Sequence, residues 1–229
     1  MKVLSDSKNL QVLYEDNHII AVNKRVGDIV QGDKTGDQPL SDIVKMYIKE
    51  KYNKPGEVYL GVVHRLDRPT SGIVIFARTS KALTRLNQMF SLRETQKTYW
   101  AVVKNKPDQP QGTLVHYLSR NEKNNTSKAH QKEVPNSKIA KLDYKIIQEL
   151  NSYVLLEIAL HTGRHHQIRA QLAAIGSPIK GDLKYGSDRS NPDGGIHLHA
   201  RSLSFTHPVS KEEIRIVAPT PKNSIWDAV

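Results

Sequence analysis

Asp67 stands between two arginines in the run Gly61-Val62-Val63-His64-Arg65-Leu66-Asp67-Arg68-Pro69-Thr70-Ser71-Gly72. Apolar residues lead into the carboxylate, and a cluster of Pro, hydroxyl and Gly turn residues follows it. A strand ending in such a turn holds polar side chains at a sheet edge, within reach of a substrate. Neighbouring guanidinium groups favour the ionised carboxyl, so Asp67 is expected to suit a nucleophile or an electrostatic partner better than a general acid. The plainer alternative is a turn-capping Asp beside two solvated arginines, and an arbitrary Arg-x-Asp-Arg would favour it.

A second cluster, Leu160-His161-Thr162-Gly163-Arg164-His165-His166-Gln167-Ile168-Arg169, packs five basic or titratable side chains into ten residues. Thr162 and Gly163 precede a helical pattern, and the free amides of a helix start favour anions. Arg164 and His165 are expected near that terminus, with Arg169 one turn beyond His165 on the same side. A basic helix start facing solvent is the plainer reading. A metal held by His161, His165 and His166 is not expected, because adjacent helical histidines diverge and no acid lies nearby in sequence.

The whole chain narrows the classes. Its 229 residues suffice for a proper core, and 38% hydrophobic with 25% charged residues describes an ordinary globular protein. The absence of cysteine excludes disulfides, thiolate metal sites and cysteine nucleophiles. No apolar stretch is long enough to span a bilayer, and Met1 to Asp6 has no secretory pattern, so a cytoplasmic protein without membrane attachment is expected. A net charge of +11 favours a polyanionic partner through phosphate neutralisation.

The elements that must position these residues can be read from periodicity. Val12 to Asp16 and His18 to Lys24 read as strands around a turn, and Ser41 to Tyr52 as a helix with Ser41 as its cap. Ile73 to Ala77 suits a buried strand leading through Thr79 and Ser80 into a helix with Leu83, Leu86 and Phe90 on one face. Thr98 to Val103, Lys141 to Gln148 and Tyr153 to Leu160 read as strands, and His165 to Ile175 as a helix stopped by Gly176. Short strands at His197 to His199, Leu203 to Phe205 and Glu213 to Val217 end the chain. Strands outnumber helices at irregular spacing, which predicts an α+β fold with a mixed, mostly antiparallel sheet. One domain is expected over residues 10–229, after a loose lead-in from Met1 to Asn9.

The first run resembles the HRLDxxTSG signature of the RluA-type RNA pseudouridine synthases at every fixed position. The second is similar to that family's TGRxHQIR signature, which is followed by a Gly-Asp-x-x-Tyr-Gly run, here Gly181-Asp182-Leu183-Lys184-Tyr185-Gly186. Further likeness lies at Lys97-Thr98-Tyr99-Trp100-Ala101, at Leu198-His199-Ala200, at Leu203 to Pro208 and in the opening pair from Tyr14 to Lys24. The resemblance covers roughly residues 10–219. Arg25 stands where the family's opening motif has Pro, which loosens a turn without touching chemistry. No S4 RNA-binding module is expected in the few residues before the first matched strand, so the catalytic domain is expected to find its RNA alone.

The resemblance implies isomerisation of uridine to pseudouridine in structured RNA, ribosomal or transfer RNA, by a monomer without cofactor or metal. The bond from N1 to C1′ breaks, the base turns, and C5 rejoins the sugar. Asp67 is then the essential carboxylate, attacking C1′ or C6 or assisting a glycal intermediate. Arg169 is expected to pair with Asp67, and Tyr99 to stack on the target base and help remove the C5 proton. The uridine must leave its stack to be reached, and Arg65 is the candidate for filling the vacated space. His64, Arg65, Arg68, Arg164, His165 and Gln167 complete the expected RNA-binding set, His64 being the one better suited to a structural role. The polar stretch from Arg120 to Lys138 is either a solvated linker or an RNA-facing arm, as a loop or a ragged hairpin. His197 and His199 share a strand face and are expected to be structural or RNA-facing rather than metal ligands. Two rivals are a catalytically silent RNA-binding domain of the same fold and a glycoside or nucleoside hydrolase. The second needs paired carboxylates, whereas Asp67 has arginines beside it.

Overall fold

The computed structural model describes all 229 residues. The chain divides into two compact units, Met1–Gln96 with Ala200–Pro221 and Lys97–His199 with Lys222–Val229.

The first unit opens with β1 (Val12–Glu15) and β2 (Ile19–Lys24), an antiparallel pair whose second strand is buried throughout. The Asp16 carboxylate holds the turn between them by accepting the His18 and Ile19 amides at 2.7 and 2.8 Å. Helix α1 (Leu40–Lys51) buries Leu40, Ile43, Val44 and Ile48 on one stripe. Its start differs from the expected one: Pro39 occupies the cap position in an extended conformation, and Ser41 is a buried residue inside the helix. The Ser41 amide donates to the Val30 carbonyl at 3.2 Å, so a distant backbone group takes the place of a side-chain cap.

Next come β3 (Gly61–Val62) and β4 (Ser71–Ala77), the latter entirely buried and paired antiparallel with both β2 and β3. Helix α2 (Ser80–Leu92) begins as its sequence indicates, with the Thr79 hydroxyl accepting the Ala82 amide at 3.1 Å. Leu86 is buried, while Leu83 and Phe90 pack partly buried against the same core.

The second unit contains β5 (Gln96–Val103), β6 (Gln111–Asn121), β7 (Thr126–His130), β8 (Lys138–Glu149) and β9 (Val154–Leu160). They pair antiparallel in the order β5-β9-β8-β6-β7. The polar stretch from Arg120 to Lys138 forms the tip of the β6–β7 hairpin and β7 itself, with Asn125 at φ +47° in the turn, and then runs as a loop from residue 131 to the start of β8. Helix α3 (Gln167–Ala174) follows β9, and Gly176 stops it at φ +77°. The chain returns to the first unit in β10 (Leu198–Thr206), which pairs antiparallel with β11 (Glu213–Val217). The two late strands read separately around Ala200 are one strand. The fold is α+β with a mostly antiparallel sheet, and no helix is long and apolar enough to cross a membrane.

Candidate active-site residues

Asp67 lies in the loop from β3 to β4, half-buried, and its carbonyl accepts the Thr70 amide at 3.0 Å. Beneath this loop sits a residue that sequence reasoning passed over. Lys24, at the end of β2, is 1% exposed, and its ammonium donates to the carbonyls of Arg25, Arg68 and Thr70 at 3.0, 3.1 and 2.6 Å. One buried cation therefore ties the chain on the C-terminal side of Asp67 to the end of β2. Burial pushes the Lys24 pKa down to about 7; the carboxylates of Asp28 and Asp67 pull it back up, and Arg68 adds to the fall. No local pattern marks Lys24 as buried, because it ends an apolar strand as a lysine at a strand edge would.

Asp28, fully buried, also anchors the start of the chain. Its carboxylate accepts the Leu4 and Ser5 amides at 3.1 and 3.2 Å and the Ser5 hydroxyl at 2.6 Å. The lead-in expected to be loose is thus tied to the first unit at Leu4 and Ser5.

Arg169 lies on the first turn of α3 and is 4% exposed. Its Nε and Nη2 donate to the two oxygens of Asp182 at 2.6 and 2.8 Å, a bidentate pair with a carboxylate as buried as itself. The Arg169 guanidinium carbon also lies 4.9 Å from the centre of the Tyr185 ring. Asp182 and Tyr185 belong to the Gly-Asp-x-x-Tyr-Gly run; that run was the available signal, but nothing in it named Arg169 as the partner. Tyr99 is on β5, 9% exposed, opposite Ile158 of β9.

The stretch before α3 departs from the expected helix. His166 adopts the left-handed conformation at φ +51°, and the helix starts only at Gln167. Gln167 causes this: its side-chain oxygen accepts the Thr162 hydroxyl at 2.7 Å and the Arg164 amide at 3.0 Å, and its amide donates to the Lys141 carbonyl at 3.1 Å. His165 is therefore outside the helix, and its ring stacks on that of His166 with centroids 3.8 Å apart instead of diverging. His165 Nδ1 bonds the Ser127 hydroxyl at 2.9 Å, and His166 Nδ1 bonds the Tyr185 hydroxyl at 2.8 Å. An acid missing from the local sequence does reach His161: Asp143, from β8, pairs with it at 2.6 Å. No group of three or more His, Asp or Glu side chains gathers to hold a metal.

The expected RNA-binding residues divide. Arg65 is exposed, whereas Arg68 donates to Asp37 at 2.6 Å and to the Met1 carbonyl at 2.9 Å. His64 stacks on Phe90 at 5.0 Å, and its Nε2 accepts the Ile75 amide at 3.2 Å, a bracing role. Arg164 donates to the Ile139 carbonyl at 3.0 Å, and Gln167 is buried in the turn it holds. His197 and His199 both face Trp226, and burial lowers the His197 pKa to about 4, with Lys180 adding to the fall. They are packing residues.

This constellation meets independent likeness. A family model described as RNA pseudouridylate synthase matches residues 18–174, and the chain belongs to that family. It is 34% identical over 227 residues to the ribosomal large subunit pseudouridine synthase D of Xanthomonas campestris, covering 93% of this chain and 67% of that protein. It is 32% identical to an uncharacterized RNA pseudouridine synthase of Bacillus subtilis, over 97% of this chain and 73% of the other. The structure called human RNA pseudouridylate synthase domain containing 4 superposes with a TM-score of 0.81 over 96% of this chain and 93% of its own. At 23% identity, that likeness is one of fold.

Proposed function

We propose that this chain isomerises uridine to pseudouridine in RNA, with Asp67 as the catalytic carboxylate. Its support is the membership of the family together with an intact first signature, in which Asp67 occupies a turn gripped from below by the Lys24 ammonium. A nucleophile must meet its target in one geometry, and a turn whose carbonyls are held by a buried cation keeps the backbone beside it still. Tyr99 is assigned to stacking on the target base. Arg169 is assigned to orienting the catalytic carboxylate, and the buried pair with Asp182 suits it to that task by holding its guanidinium plane.

The RNA is of ribosomal or transfer type, attracted by a chain whose formal net charge is +11. Arg65, Arg164 and His165 remain the assigned RNA contacts, Arg68 joins them through its position in the turn, and His64 and Gln167 act by bracing. The enzyme is read as a cytoplasmic monomer that works without nucleotide cofactor or metal.

The test is tritium release from RNA labelled at uridine C5, with wild type and Asp67→Asn compared. The wild type is expected to release tritium, and the variant to bind RNA while losing turnover by at least about a thousandfold, because its shape survives without the carboxylate. No release by wild type that still binds RNA tightly would replace this reading with a silent RNA-binding domain. Free base among the products would replace it with a hydrolase.

A further inference from the structure

The Tyr185 hydroxyl accepts the amide of Ser127, on β7, at 2.7 Å and bonds His166 Nδ1 at 2.8 Å. Its ring lies against the Arg169 guanidinium at 4.9 Å and edge-on to His166 at 5.6 Å. Ser127, the buried residue of β7, is also held from the other side: its hydroxyl donates to the His165 carbonyl at 2.7 Å and meets His165 Nδ1 at 2.9 Å. The same tyrosine packs partly buried against the small apolar cluster of Leu118, Ala140 and Ala170. Three segments far apart in sequence, the hairpin, the turn before α3 and the short helical turn Leu183–Tyr185, therefore meet on one phenol.

We propose that Tyr185 is a positioning residue for the isomerisation: it clasps the β6–β7 hairpin to the start of α3 and sets the plane of the Arg169 guanidinium. This rests on the reading of Arg169 under the proposed function. The reason is geometric. Asp182 holds two nitrogens of the guanidinium, which fixes where the group lies in the plane of that pair. A bidentate pair resists sliding within its plane better than tilting out of it, and an aromatic ring facing the cation opposes the tilt. The ring in turn is fixed at its far end by the hydroxyl. Displacement of Ser127 in β7 is thereby passed to the surface on which Arg169 rests, so the hairpin, with Arg120, Lys123 and Lys128 along it, and Arg169 move as one body.

The experiment compares wild type, Tyr185→Phe, Tyr185→Leu and Asp67→Asn by C5 tritium release over a range of RNA concentrations, with thermal unfolding of each. Tyr185→Phe keeps the ring and loses both hydroxyl bonds, so kcat should fall about tenfold at unchanged KM, the effect of one or two oriented hydrogen bonds. Tyr185→Leu removes the ring as well and should lose about a further tenfold in kcat. A wild-type kcat in Tyr185→Phe, a change in KM alone, or a loss that merely follows the folded fraction would overturn the proposal. If wild type releases no tritium, or Asp67→Asn retains turnover, the failure belongs to the reading of the function instead. A readout independent of turnover is solvent exchange of the Arg169 Nε proton by 15N NMR. It should quicken about tenfold in Tyr185→Leu as the guanidinium gains freedom, and an unchanged rate in the folded variant overturns the proposal.

Discussion

In the first unit the Lys24 ammonium is buried against three backbone carbonyls; in the second the Arg169 guanidinium is buried against the carboxylate of Asp182. Lys24 stands beneath the turn of Asp67 and Arg169 has its own assigned part in the chemistry, yet the two cations are compensated differently. Carbonyl dipoles return only part of what an ammonium loses on leaving water, so Lys24 is pushed down to about 7 by burial, despite Asp28 and Asp67 nearby. A planar guanidinium meets a carboxylate through two parallel bonds, and the pair brings its countercharge with it. The teaching is that a buried cation can serve as a clamp on backbone or as half of a fixed pair. The first kind titrates near neutrality, whereas the second is broken only by removing its partner.

The largest expected effect breaks the pair. Asp182→Ala strands a buried guanidinium and should destabilise the protein by about 3–5 kcal/mol in denaturant unfolding. Gly72→Ala tests the clamped turn from the other end. Gly72 has φ +114°, and a methyl group there would sit 2.5 Å from the Ala200 nitrogen, so a loss of about 3 kcal/mol is expected by the same measurement. Lys24→Met should cost less, about 1–2 kcal/mol at pH 9, where the folded chain holds the amine uncharged and the variant loses only its hydrogen bonds to the carbonyls.

The pH dependence sharpens the contrast. In the unfolded chain Lys24 has its ordinary value of 10.5, whereas in the folded chain it lies at about 7. Between those values the unfolded state binds more protons, so this group makes stability rise with pH, by up to about 1.4 kcal/mol per pH unit. Measured from pH 7 to 10, the stability of wild type should therefore climb relative to Lys24→Met, and parallel curves would remove Lys24 as the titrating clamp. The smallest effect is reserved for a half-exposed His–Asp pair. His161 and Asp143 are 43% and 45% exposed, and Asp143→Asn should change stability by less than about 1 kcal/mol.

Much of this was legible beforehand where the governing contacts are local. The helix entered through Thr79 and Ser80, the Gly176 stop and the strands β5, β8 and β9 all follow from residues within a turn or two of one another. The α+β class follows from the number and spacing of those elements. Asp67 and Arg169 stand out by type and spacing. The start of α3 was misread because Gln167 folds its side chain back onto Thr162 and Arg164, a choice that depends on the Lys141 carbonyl waiting on β8. The start of α1 was misread for a similar reason, since Val30 supplies what Ser41 was expected to supply.

By itself, the sequence determined which residues could carry chemistry, the kind of fold that displays them and the family to which the chain belongs. Only the tertiary structure decided which charges are buried and what compensates them: Lys24 beneath carbonyls more than forty residues away, Arg169 against Asp182, and Ser127 under Tyr185 from a distant turn. The physical reason is that desolvation and pairing depend on the space around a group, and that space is assembled from segments whose separation in sequence carries no record of their meeting.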